Sequence, residues 1–268
     1  MNKLERPDWG KLFAEALTSP GKLSEAYSVF HEYSLSNRIL ATIQLGMRGL
    51  PLAPIASFNK WKEQGRHVTK GEKAISLIMP LSIKSKAEGG MGEGDMADGS
   101  EVKAGKRGFT IFVLKRNWFS LDQTEGAEFA PEIRTPAWDG AKAMGILEIK
   151  EDHFSSLPGN CQGYAYGRHI SINPLATFKH KTRFHELAHV VLGHTIKDDT
   201  RVDYEVLGAD IQEAEAESVA YLLCCLLDLP GQPESRGYIQ GWLNGRTLPE
   251  QSAKRIFGAA EHIMKAGQ

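Results

Sequence analysis

The sequence predicts an α+β fold divided into two domains, and three observations lead there. Short strand-like runs cluster in the middle of the chain, and a long helical stretch follows them. Charge shifts along the way. Residues 1–84 carry five more Lys/Arg than Asp/Glu, whereas residues 85–134 and 135–268 carry deficits of two and four. Finally, 268 residues with 41% hydrophobic and 24% charged content suffice for two ordinary globular domains and exclude a disordered chain.

The elements follow in order. Trp9, Leu12, Phe13 and Leu17 recur at helical spacing until Ser19-Pro20-Gly21 breaks the pattern. Tyr27, Phe30, Tyr33, Leu35, Ile39, Ile43 and Leu45 resume it as far as Gly46. Beyond Pro51 and Pro54, Ile55 to Gln64 reads as a short helix closed by Gly65. Ala74 to Met79 reads as a strand ending at Pro80, and Phe109 to Leu114 as the strand that returns beside it. Between them, residues 85–107 are rich in Gly, Asp and Lys and almost free of apolar side chains. Such a stretch buries too little surface to offset its ordering entropy, so a mobile loop is expected. Pro131 to Pro136 supplies a linker, placing the domains at 1–134 and 135–268.

The second domain opens with a helix near Trp138 to Met144 and an alternating hairpin from Gly163 to Ile172. Helices then follow at Phe178 to Gly193, Asp210 to Leu229, Tyr238 to Leu243 and Glu250 to Met264. No apolar run approaches the roughly 20 residues that span a bilayer. The first residues lack a secretory pattern. Cys161, Cys224 and Cys225 have no metal-knuckle spacing, and the last two read as core. A cytoplasmic protein with no membrane partner is expected.

The most informative residues are His185-Glu186-Leu187-Ala188-His189. Side chains four apart share a helix face, so His185 and His189 can offer ring nitrogens to one ion. Zinc would bring the pKa of a water towards about 7, and Glu186, beside the first ligand, would act as general base. Phe184, Leu187, Ala188, Val191 and Leu192 supply the buried stripe of this helix, and Gly193 can end it. Downstream, Gln212 to Ala220 offers three carboxylates, and helical periodicity does not choose among them. Glu213 and Glu217 form an i, i+4 pair, in which one can bind the ion while the other hydrogen-bonds a liganding histidine. On that pattern Glu213 is the expected third ligand and Glu217 the orienting carboxylate, with Glu215 as the alternative ligand. His194 lies nine positions after His185, which does not suit a ligand, and His169 and His180 read as surface histidines. The expected ion is Zn2+, with Mn2+ or Co2+ as substitutes.

In the first half, Lys60, Lys62, Arg66, Lys70 and Lys73 interleave with Phe58, Trp61 and His67. Cations along a backbone with aromatic faces for stacking are how sequence-tolerant single-strand binders work. From these residues alone, a core Trp61 with an ordinary solvated lysine face is the stronger reading. Asn37 and Arg38 are placed to contact phosphate, and Trp118, beside Lys115 and Arg116, is either a stacking ring or core.

Several of these stretches resemble a known family. Tyr33 to Arg38, Phe58 to Trp61, Gly65 to Ile75 and Phe119 to Gly126 are similar to the N-terminal domain of ArdC-type antirestriction proteins. His185 to His189 and Glu213 to Ala220 are similar to that family's zincin-like metallopeptidase domain, related to the ImmA/IrrE peptidases. The resemblance implies a single-stranded-DNA-binding domain, shared with the TraC primase, ahead of a zinc metallopeptidase domain. It favours DNA contacts by Asn37, Arg38, Lys60, Trp61, Arg66, Lys70 and Lys73. The competing expectation is a regulatory zinc peptidase of ImmA/IrrE type that cleaves a repressor-like protein without binding DNA. The sequence names no protein substrate.

Overall fold

The computed structural model describes residues 5–18, 25–26, 29–30, 32–84, 108–130, 137–155, 160–196, 208–243 and 246–268. The loop expected at 85–107 and the linker expected at Pro131 to Pro136 lie outside the described residues.

Helix α1 (Trp9–Thr18) lies where periodicity puts it, whereas α2 (Leu35–Met47) takes up only the later part of the run expected from Tyr27 to Gly46, residues 32–34 being non-helical. The stretch read as one helix from Ile55 is divided in two. Ile55–Ser57 forms strand β1, pairing Ile55 with Ser120 and Ala56 with Phe119. Helix α3 (Phe58–Glu63) starts only after Ser57, whose hydroxyl accepts the Lys60 N–H as an N-cap. Short strand β2 (Arg66–Val68) pairs with β5 (Thr124–Gly126). The main N-terminal sheet is antiparallel with order β1-β4-β3, where β3 is Ile75–Lys84 and β4 is Gly108–Ser120. Both long strands outrun their expected lengths. Pro80, the expected end of this strand, is accommodated because β3 is an outer strand of the sheet, where a missing N–H is tolerated.

The second half contains α4 (Gly140–Leu147) and a small mixed sheet of order β6-β8-β7. Its strands are β6 (Lys150–Asp152), β7 (Gly163–Tyr166) and β8 (His169–Ile172), with β6 parallel to β8 and β7 antiparallel to it. Four helices follow: α5 (Lys179–Leu192), α6 (Ala209–Leu226), α7 (Gln232–Leu243) and α8 (Glu250–Ala266). An α+β fold is what results. Helix α6 is buried at every position from Ala214 to Leu226, and its apolar run from Val219 to Leu226 fills the core. Cys224 and Cys225 sit inside it as packing groups, and burial pushes both thiols up to about 12, which keeps them protonated and inert.

One hydrophobic core runs through both halves of the chain. Trp9 and Phe13 of α1 meet Phe257 of α8 at ring-centroid distances of 6.1 and 6.2 Å. The Tyr221 hydroxyl, on α6, donates to the Leu17 carbonyl at 3.0 Å. A second cluster built on Phe30, Leu45, Ile75, Leu77 and Trp118 lies within the N-terminal half, so Trp118 is core and not a stacking ring. Trp138 ties the site helix down. Its indole donates to the Ile263 carbonyl at 2.9 Å, and its ring packs edge-on against Phe184 of α5. The packed histidine helix thus has a fixed axis before any ligand arrives.

Candidate metal centre

The site is assembled from two helices packed against each other, α5 and α6. Helix α5 carries His185, Glu186 and His189, and Gly193 closes it at φ 78°, a left-handed conformation that glycine adopts without strain. Helix α6 faces it with Glu213, Glu215 and Glu217 near its N-terminal end. Among the described residues, one ligand atom each from His185, His189 and Glu213 lie within 4.8 Å of one another. His185 Nε2 and His189 Nε2 are 3.1 Å apart, and the two Glu213 oxygens stand 3.3 and 3.5 Å from them. Two imidazole nitrogens and a carboxylate oxygen converging from two rigid helices form a donor set that suits a divalent ion such as zinc.

The neighbouring charges are arranged around this trio. Glu217 Oε2 accepts from His185 Nδ1 at 2.9 Å, and its other oxygen is 2.7 Å from the Lys181 ammonium. Burial opposes protonation of His185, but hydrogen bonds to Glu213 and Glu217, helped by the Glu186 charge, hold its pKa at about 10. The same two histidines pull Glu213 well below the usual carboxylate range. For Glu217 burial pushes upward, yet His185 and Lys181 outweigh it and bring its pKa down to about 2. Glu186 behaves in the opposite sense. It is outside the trio and buried, and burial raises its pKa despite the histidine charges. A carboxyl poised upward like this suits proton transfer near neutrality.

A pH effect on the metal-free protein follows. His185 has a folded pKa above its ordinary 6.5, so its stabilising contribution is complete below pH 6.5 and is lost as pH rises towards about 10. Glu213 and Glu217 are lowered from 4.5, so their contribution holds above pH 4.5 and is lost as pH falls through their depressed values. Thermal melts in chelator should show the melting temperature falling from pH 6.5 to pH 9. Added metal should reverse that trend, because binding displaces the His185 proton. A melting temperature that rises over that interval without metal would contradict the hydrogen-bonded His185 described here.

One contributor was invisible in the sequence. Among the described residues strand β7 is an outer strand of its sheet, and Gly163 at its start lies against α5. A Cβ there would stand 2.7 Å from Thr182 Cγ2 and 3.1 Å from Glu186 Oε1. Only glycine lets the strand edge come this close to the catalytic-type carboxylate. Glu215, the alternative ligand, is turned away from the trio and bonds His194 instead. His169 pairs with Asp152, and His180 with the Pro230 carbonyl, away from the trio as expected.

The expected DNA-contacting residues divide into two groups. Trp61 is 1% exposed and its indole donates to the Phe119 carbonyl, so no ring face is open for stacking. Asn37 is buried, with its amide donating to the Ile78 carbonyl and accepting the Ile78 N–H. Arg38 is also buried and donates to the Tyr33 carbonyl. Arg66 clasps β5, donating to Thr124 Oγ1, the Thr124 carbonyl and the Ala127 carbonyl. All four side chains are engaged in hydrogen bonds within the fold. The Asn37 amide pairs with both backbone groups of Ile78 in the interior, where an unpaired group would be costly. Lys60, Lys70 and Lys73 are exposed, as are Lys62 and Phe58, the latter 47% open.

Fold and site together define an α+β protein with a helix-borne two-histidine, one-carboxylate metal-type centre. Residues 5–134 match the model of the N-terminal domain of anti-restriction factor ArdC, and this half of the chain belongs to that domain family. Over 96% of its length the chain also matches the metal-free crystal structure of the antirestriction ArdC protein from R388 plasmid, covering 94% of that protein. The TM-score is 0.55 and the identity 21%. The Mn(II)-bound crystal structure of the same protein matches with a TM-score of 0.54 and 18% identity, over 96% of this chain and 97% of that one. The chain therefore has the ArdC fold nearly from end to end. No curated protein sequence matches it. No helix among the described residues is long and apolar enough to cross a membrane.

Proposed function

We propose that this is an antirestriction-type protein that binds single-stranded DNA through residues 1–134 and carries a metal-dependent peptidase site in residues 135–268. The convergence of His185, His189 and Glu213 beside a non-liganding Glu186 carries this reading. The R388 protein, which has the same fold, has been crystallised with Mn(II), and this supports a divalent ion here. We take zinc as the natural ion, with manganese or cobalt as substitutes. A cytoplasmic location, where incoming strands meet nucleases, goes with this reading.

His185, His189 and Glu213 would hold the ion, and Glu217 fixes the ring of His185 from behind. When bound, the ion supplies Lewis acidity that polarises a carbonyl and acidifies water. Glu186 then accepts the proton released as water adds to the carbonyl carbon. It delivers that proton to the leaving nitrogen as the C–N bond breaks, so it returns to its starting state. An extended substrate backbone would lie along β7, an outer strand that packs beside Glu186.

For DNA, the surface that remains is Lys60, Lys62, Lys70 and Lys73 with the exposed ring of Phe58. Cations neutralising phosphates release counterions, so binding should weaken as salt rises. Titration of a fluorescent single-stranded oligonucleotide with the full chain should give saturable binding, tighter than for duplex and with little sequence preference. Lys70→Ala with Lys73→Ala should lower the slope of log affinity against log salt by about one to two, since each lost phosphate contact contributes roughly 0.7. No binding even at low salt would remove the DNA-binding arm of this reading.

A further inference from the structure

We infer that His194 and Glu215 position His189 for metal binding; the inference rests on the metal reading above. In sequence His194 looks unconnected, since it follows the end of α5 and cannot share its metal-facing side. The left-handed turn at Gly193 changes that. It folds the chain back so that the His194 N–H bonds the His189 carbonyl at 2.9 Å. The imidazole of His194 then lies with Nδ1 3.0 Å from His189 Nδ1. Its other nitrogen, Nε2, is 2.9 Å from Glu215 Oε2. Glu215 is two residues from Glu213, about 200° further round the helix, so it cannot share an ion with Glu213 and reaches the site only through His194. Arg255 of α8 stands 3.4 Å from the same Glu215 oxygen and donates to the Leu192 carbonyl at 2.8 Å, anchoring the pair to the end of α5.

Hydrogen-bond polarity runs one way along this line. In a neutral His194 ring the one N–H belongs on Nε2, where the Glu215 oxygen accepts it, and His194 Nδ1 is then an acceptor. His189 Nδ1 must then donate, and its free lone pair is left on Nε2, the nitrogen that faces His185 and Glu213. The arrangement thus selects the His189 tautomer that can bind an ion. It matches what Glu217 does directly for His185, so α6 secures both histidines, one by a carboxylate and the other through an intervening imidazole. A purely structural filler would not need polar groups here. Glu215 is fully buried and His194 nearly so, and burying them costs desolvation that an apolar pair would avoid.

Zinc affinity of the full chain, read by competition with a chromophoric chelator, tests this without recourse to activity. His194→Ala should bind zinc about 10–100-fold more weakly than wild type, the usual effect of removing a partner behind a metal-binding histidine. His194→Gln, whose amide can both accept from His189 and donate to Glu215, should recover much of that loss. Melting curves in chelator accompany each titration. If the alanine variant does not fold, Glu215→Leu, which removes the acceptor for His194 Nε2, reads the same connection from its far end and should also lower affinity, by about tenfold. Folded His194→Ala protein with wild-type zinc affinity would overturn the inference, as would a His194→Gln variant no better than alanine or unchanged affinity in Glu215→Leu. A wild-type chain that binds no zinc or manganese would overturn the metal reading and this inference together.

Discussion

Glu186→Gln is expected to leave metal affinity within about twofold of wild type while lowering any metal-dependent hydrolysis of a fluorescent casein by about 10²–10⁴-fold, the range spanned by a lost general base. The separation of the two effects is the point. Glu186 sits next to His185 on the same helix, yet the trio that converges is His185, His189 and Glu213. The amide keeps its size and removes only the ability to take a proton. Loss of metal on this substitution would instead make Glu186 a ligand and would require a different geometry.

Phe257→Ala should cost about 3–5 kcal/mol of stability, the usual range for emptying a buried phenyl site. The effect should reach the N-terminal half. Phe257 is 1% exposed and its ring meets Trp9 and Phe13, so the cavity opens between α8 and α1, on both sides of the boundary near residue 134. Urea unfolding followed by tryptophan fluorescence and by far-UV circular dichroism should show one shifted transition in both signals. Two separate transitions, with the N-terminal signal unmoved, would mean the shared core does not couple the halves.

Much of the geometry of the candidate site is legible in the sequence, because helical geometry is rigid. A four-residue spacing puts His185 and His189 on one face, and the same spacing separates Glu213 from Glu217. What periodicity left open was the choice between Glu213 and Glu215, since that depends on how α6 is rotated against α5. His194 stayed hidden for a similar reason. Its reach to His189 depends on the turn at Gly193, and no spacing rule encodes that. Gly163 read only as part of a hairpin, because its importance lies in the approach of β7 to Glu186.

The basic and aromatic stretch of the first half was read less well. Interleaved lysines and rings look alike whether the rings face water or core, and Trp61 turned inward. Asn37, Arg38 and Arg66 are polar by type but are used to satisfy backbone groups, a role that local pattern does not reveal. The exposed lysines keep the DNA proposal on a physical footing. Residues 1–134 and 135–268 are best regarded as two functional units, a division we propose although one core joins them.

The account rests most directly on the ion. Metal-free wild-type protein titrated with zinc or manganese in a calorimeter should bind about one equivalent. His185→Ala, His189→Ala and Glu213→Ala should each lose most of that affinity while remaining folded. Glu215→Ala should lose less than Glu213→Ala, because it acts through His194. Wild-type affinity retained in both histidine variants, or one equivalent bound equally well without Glu213, would contradict the site.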